Sequence, residues 1–146
     1  MGLDNIPNVY ACKKAGTAIV DEDGRIDCKK TQEQDLCPWK SQLELSGTPQ
    51  RVVLGMFGTD CWYRGKFAQG LINDYDAPYS FYGEVMGTDD DGNEELGLNS
   101  EQCLEMSEWV LDMIEIGDVE HRDDWVYISW WLKFVAKNCD GFFSWY

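Results

Sequence analysis

A chain of 146 residues with 14% aromatic side chains can build one core of its own, and it is too rich in rings to stay disordered. Its formal charge of −15 excludes direct binding of nucleic acid or anionic lipid, because contact with phosphates needs cationic side chains to displace counterions. No apolar run approaches the roughly 18 residues that span a bilayer, so no membrane segment is expected.

The first ten residues carry neither a basic n-region nor an apolar h-region, and Ile6 stands where a myristoylation start wants Ser or Thr. A cytoplasmic, reducing location is the expectation, in which thiols stay reduced or hold metal. Thr17–Val20 and Arg25–Cys28 flank the turn-forming Asp21–Gly24 and predict a β-hairpin. Gln42–Leu45 and Arg51–Leu54, joined through Ser46–Pro49, predict a second one, with Cys37-Pro38-Trp39 as an ordered loop between them. Gly55–Gly58 followed by Thr59 and Asp60 reads as a strand-to-helix junction, opening a helix from about 60 to 73 that carries Trp62, Tyr63, Phe67 and Leu71. Residues 74–99 are loop-like apart from a strand at Ser80–Met86 and an acidic turn at Asp89–Gly92.

Two helices are expected in the C-terminal half. The first runs from about Ser100 to Ile116, with Asn99 or Ser100 as cap, Gln102 at the capping-box position and Gly117 as terminator. At about 100° per residue, Cys103, Met106, Val110, Met113 and Ile114 share one face. Glu101, Glu105, Glu108, Asp112 and Glu115 fall within roughly 80° of arc on the other. The second helix, from about Asp123 to Asn138, has acids at its positive end and Lys133 and Lys137 toward its negative end. Its middle is apolar nearly all round, which places it centrally in the core or at a contact with a second copy. The aromatic tail Cys139–Tyr146 must dock against something. The fold class is therefore α+β: one domain over 1–146, a small mainly antiparallel sheet made of hairpins in the first half, and about three helices, two of them C-terminal.

Several chemistries are tested by spacing. Cys12, Cys28, Cys37 and Cys61 could hold Zn²⁺ tetrahedrally, although no two of them form the Cys-x₂₋₄-Cys knuckle that aims a pair of sulfurs at one ion. Free buried thiols and disulfides are the alternatives, with Cys103 and Cys139 outside any such site. Cys61, read at a helix start with Arg64 one turn on, is a weak candidate catalytic nucleophile. The single histidine, His121, excludes a di-iron site with two Glu-x-x-His elements, and no nucleophile elbow appears. The turns at Asp21–Gly24 and Asp89–Gly92 fail as EF-hands, because carboxylates are missing at the first and last ligand positions; a looser cation site at Asp89–Asp91 is left open. The rings of Tyr75–Tyr82 read as core caps rather than a sugar or base platform.

The most specific feature is charge placement. Residues 1–70 balance nine acids with nine bases, whereas residues 71–146 carry eighteen acids and three bases. From Glu84 to Asp124 there are fifteen acids and a single base, Arg122. Neighbouring like charges along the 100–116 ridge cost about 0.2–0.5 kcal/mol per pair, so roughly 1–2 kcal/mol over the helix. One lysine would relieve this. The simple reading is a solvated face; the sharper one is a binding protein without enzymatic activity, whose ridge (Glu101, Glu105, Glu108, Asp112, Glu115) meets a basic protein and imitates a nucleic-acid phosphate backbone. A zinc-stabilised module and a Cys61-dependent enzyme are the competing classes. Homodimerisation through the apolar 123–138 helix is a further expectation.

Overall fold

The computed structural model describes residues 4–48, 61–64, 78, 97–116 and 122–145. Among these, eight elements follow in order: β1 (Asp4–Pro7), α1 (Ala11–Ala15), α2 (Cys28–Glu33), α3 (Pro38–Ser46), β2 (Tyr63–Arg64), α4 (Ser100–Ile116), α5 (Arg122–Asn138) and β3 (Phe142–Trp145). The fold is α+β. The sheet is antiparallel with order β2-β1-β3, so the first strand lies in the middle and the last pairs with it, Asp4 opposite Trp145 and Pro7 opposite Phe142. Buried Asn5 stitches the three strands together. Its Nδ2 donates to the Tyr63 carbonyl at 2.9 Å, and its Oδ1 accepts from Ser144 Oγ at 2.8 Å. Both halves of the amide are thus satisfied, as a buried polar group requires.

The two C-terminal helices form as their spacing predicts. Asn99 Oδ1 accepts from the Gln102 N–H at 3.0 Å and Gln102 Oε1 accepts from the Asn99 N–H at 2.9 Å, a reciprocal capping box that starts α4. α5 begins with Asp123 and Asp124 in its first turn and ends with Lys137 in its last. Its apolar girdle makes it the central element. Trp131 packs edge-on against Tyr63 of β2 at 5.6 Å and meets Phe142 of β3 at 5.2 Å. On another side α5 packs along α4, where the contacts Ser107–Ser129 and Trp109–Trp125 show the two helices running antiparallel. The aromatic tail docks as β3, and the Asn8 and Val9 N–H groups hold its approach by bonding Gly141 and Cys139 carbonyls at 3.0 Å.

The first half departs from its expected hairpins. Around Asp21–Gly24 the ladder shrinks to one bridge, Val20–Ile26, because Asp27 caps α2 by accepting from the Lys30 N–H at 3.0 Å and so turns Cys28 into a helical residue. The second hairpin is overturned on its first arm: Gln42–Leu45 lies inside α3. Pro38 sits at the helix start with its φ preset, and Gly47 closes it in the left-handed region at φ 73°. Cys37-Pro38-Trp39 is accordingly the cap and first turn of α3, not a loop. Tyr63 and Arg64 are strand, so the helix expected from about 60 to 73 does not include them. Arg51–Leu54, residues 65–73, Ser80–Met86, Asp89–Gly92 and His121 lie outside the described residues.

Candidate functional site

Packing on α5 decides which side of α4 meets solvent. Cys103, Met106, Ser107, Val110 and Ile114 are buried. Ser107 and Ser129 lock the rotation of the pair, since Ser107 Oγ donates to the Ser129 carbonyl at 2.8 Å while Ser129 Oγ donates to the Ser107 carbonyl at 3.0 Å. With that face fixed inward, Glu101, Glu105, Glu108, Asp112 and Glu115 are all exposed. They spread over about 21 Å of helix at 1.5 Å per residue. Of the first-half lysines, Lys14 pairs with Asp140 at the far end of the chain sequence.

Sequence reading missed what flanks this ridge. Leu104 and Leu111, seven residues apart and therefore on one line, remain 36% and 44% exposed beside the acids. Placing them on the same helical wheel as the ridge would have found them. The outer face of α4 is thus a carboxylate row with an apolar margin.

A second cluster involves the N-terminal helices. Cys12 of α1, Cys28 at the start of α2, Cys37 at the cap of α3 and Cys61 just before β2 line one small pocket together with Thr31 and Trp39. The pocket has room for about 10 Å³, roughly one water-sized sphere. The four sequence-nominated thiols therefore converge, although they come from four separate elements. As their side chains stand, no group of three or more His, Cys, Asp or Glu among the described residues is arranged to hold a metal ion. All six thiols are unbridged. Burial, and secondarily the neighbouring Cys37, pushes the Cys12 thiol above its ordinary pKa. Cys103 and Cys139, both fully buried, are pushed up to about 12, in each case chiefly by desolvation.

Cys61 is buried and followed by the strand Tyr63–Arg64 where a helix start was expected, with its carbonyl accepting from Trp131 Nε1 at 2.9 Å. The acidic turn at Asp21 is self-contained: Asp21 Oδ1 already accepts from the Asp23 and Arg25 N–H groups at 2.9 Å. No helix among the described residues is long and apolar enough to cross a membrane. The fold and these two clusters define an acidic α+β domain with an anionic helix face and a thiol pocket. No family model, curated protein or solved structure matches the chain.

Proposed function

We propose that this protein works by binding, and that the outer face of α4 receives a basic, amphipathic segment of a partner protein. The carrying observation is that five acids at 4-3-4-3 spacing all face outward while Leu104 and Leu111 stay exposed along their margin. Carboxylates alone could be a solvated surface. Leucines beside them supply an apolar anchor, which a counterion atmosphere does not need and a protein partner does. The same ridge can stand in for a row of phosphates in the groove of a nucleic-acid-binding protein. A phosphate row has no apolar margin, so a partner with both Lys/Arg and apolar residues fits this face better.

Fluorescence anisotropy with a labelled helical peptide bearing Lys/Arg on one stripe and Leu on the next tests the reading. Binding should weaken as salt rises, because the charges are exposed and screened. The Glu101→Gln/Glu108→Gln/Asp112→Asn/Glu115→Gln variant removes four exposed pairings, each worth about 0.2–1 kcal/mol, so affinity should fall about tenfold or more. Leu104→Ala/Leu111→Ala should also lower it severalfold. A variant neutralising Asp21, Glu22 and Asp23 on the turn before α2 should bind like the unaltered chain. Equal losses from the turn and ridge variants would mean general charge attraction and would sink the proposal. The ridge variant should at the same time unfold at higher denaturant, by about 1–2 kcal/mol, since like-charge repulsion along α4 is relieved.

A further inference from the structure

We infer that Cys12, Cys28, Cys37 and Cys61 form a structural site for a thiophilic divalent cation, Zn²⁺, that holds the N-terminal helices together. The inference is independent of the α4 face. Its first support is convergence: four elements separated in sequence each place a cysteine in the lining of one small pocket, and side-chain rotation would have to bring their sulfurs onto one ion, since no three are so arranged as they stand. Cysteines used merely as small apolar filler have no reason to gather in this way.

A second support is the poverty of packing around them. The buried residues of α1 are Ala11 and Cys12, that of α2 is Thr31, and that of α3 is Trp39. Helices of five, six and nine residues cannot sustain themselves in water, and so little buried surface is a weak substitute. Small regions with this deficit are commonly stapled by metal or disulfide. Third, Trp39 lines the same pocket, and its buried indole N–H has no acceptor. A metal-bound thiolate is an acceptor, and donors to the ligating sulfurs are a regular outer layer of such sites. Fourth, the ligands are flanked by cations in an acidic chain. Cys12-Lys13-Lys14 and Cys28-Lys29-Lys30 repeat the same triplet, and Lys40 follows Cys37 by three residues.

Binding is a proton exchange. Four S–H bonds break, four Zn–S bonds form, four protons pass to solvent, and the site carries a net charge of −2. Lys13, Lys29 and Lys30 stand next to the ligands in the chain as cations available to that charge, while Lys14 is paired with Asp140. Disulfides would also staple these elements, but two bridges would leave the Trp39 indole N–H without an anionic acceptor.

Native mass spectrometry of the full chain, isolated under reducing conditions without chelator, should show one zinc per chain. Cobalt added to metal-stripped protein should give the strong visible bands of a tetrahedral thiolate complex. Cys28→Ser and Cys37→Ser, both at half-buried positions, should each reduce metal content at least about tenfold, while Cys103→Ala leaves it unchanged. Chelation should raise amide exchange across residues 11–46 and spare α4 and α5. A zinc ratio near zero with six alkylatable thiols overturns the inference, and so does a mass lowered by the hydrogens lost to disulfides. If the serine variants fail to fold, the cobalt spectrum of the unaltered chain decides alone.

Discussion

Ser107 and Ser129 are small, polar and buried, and each hydroxyl donates to the backbone of the opposite helix. Two such bonds, with a 3.0 Å contact between the hydroxyls themselves, fix both the depth and the rotation at which α4 sits on α5. A rotation of α4 by one residue, about 100°, would bring ridge acids toward the core, so the orientation of the acidic face rests on this pair. Ser107→Ala strips the Ser129 side chain and carbonyl of a partner inside the helix interface. The expected cost is about 1–3 kcal/mol, read as a lower denaturant midpoint. Ser107→Ala/Ser129→Ala should cost less than the sum of the single changes, because removing both members leaves fewer orphaned groups. Strict additivity would show that the two hydroxyls do not act together.

At the scale of elements, α4 depends on its start. Asn99 and Gln102 satisfy one another's N–H groups, and Asn99→Ala should lower stability by about 1 kcal/mol without moving the binding affinity of the ridge peptide. Thermal unfolding monitored at 222 nm would check the first half and anisotropy the second. α4 and α5 were legible in the sequence because caps, charge bias and helical spacing are local signals, and even the exposure of the five acids followed from spacing alone. The sheet was not legible. β1 finds its partners 58 or more residues away, so that the Asn5–Tyr63 and Asn5–Ser144 contacts carry no local trace. Local alternation actively misled at Gln42–Leu45, where Leu43 is half-buried, Leu45 is exposed, and Pro38 with Gly47 marks a helix. The thiol pocket was legible only as a list of four candidates. Lacking knuckle spacing, the sequence gives no sign that α1, α2, α3 and the approach to β2 converge, and the fold supplies that.

Across the whole molecule, the two ends of the described chain meet. β1 pairs with β3, Val9 bonds the Cys139 carbonyl, and Lys14 pairs with Asp140. Cys139 lies at this joint, fully buried, and Cys103 of α4 is its electrostatic neighbour. Both thiols are raised from 9.0 to about 12, first by desolvation, with Cys139 adding to the shift at Cys103 and nearby Lys14 opposing it at Cys139. The folded chain therefore keeps two protons that the unfolded chain surrenders near pH 9. Stability from this source is complete below that value and declines as pH rises toward 12, by up to about 1.4 kcal/mol per pH unit for each thiol. Ionising the pair separates α4 and the tail from the N-terminal strand, so the transition should be global, with far-UV and Trp signals lost together. Tyrosines and lysines titrate over the same range, which makes the difference between chains the informative quantity. Cys103→Ala/Cys139→Ala should lose stability less steeply between pH 9 and 12 than the unaltered protein does. Parallel curves for the two would show that these thiols do not govern the alkaline limit of the fold.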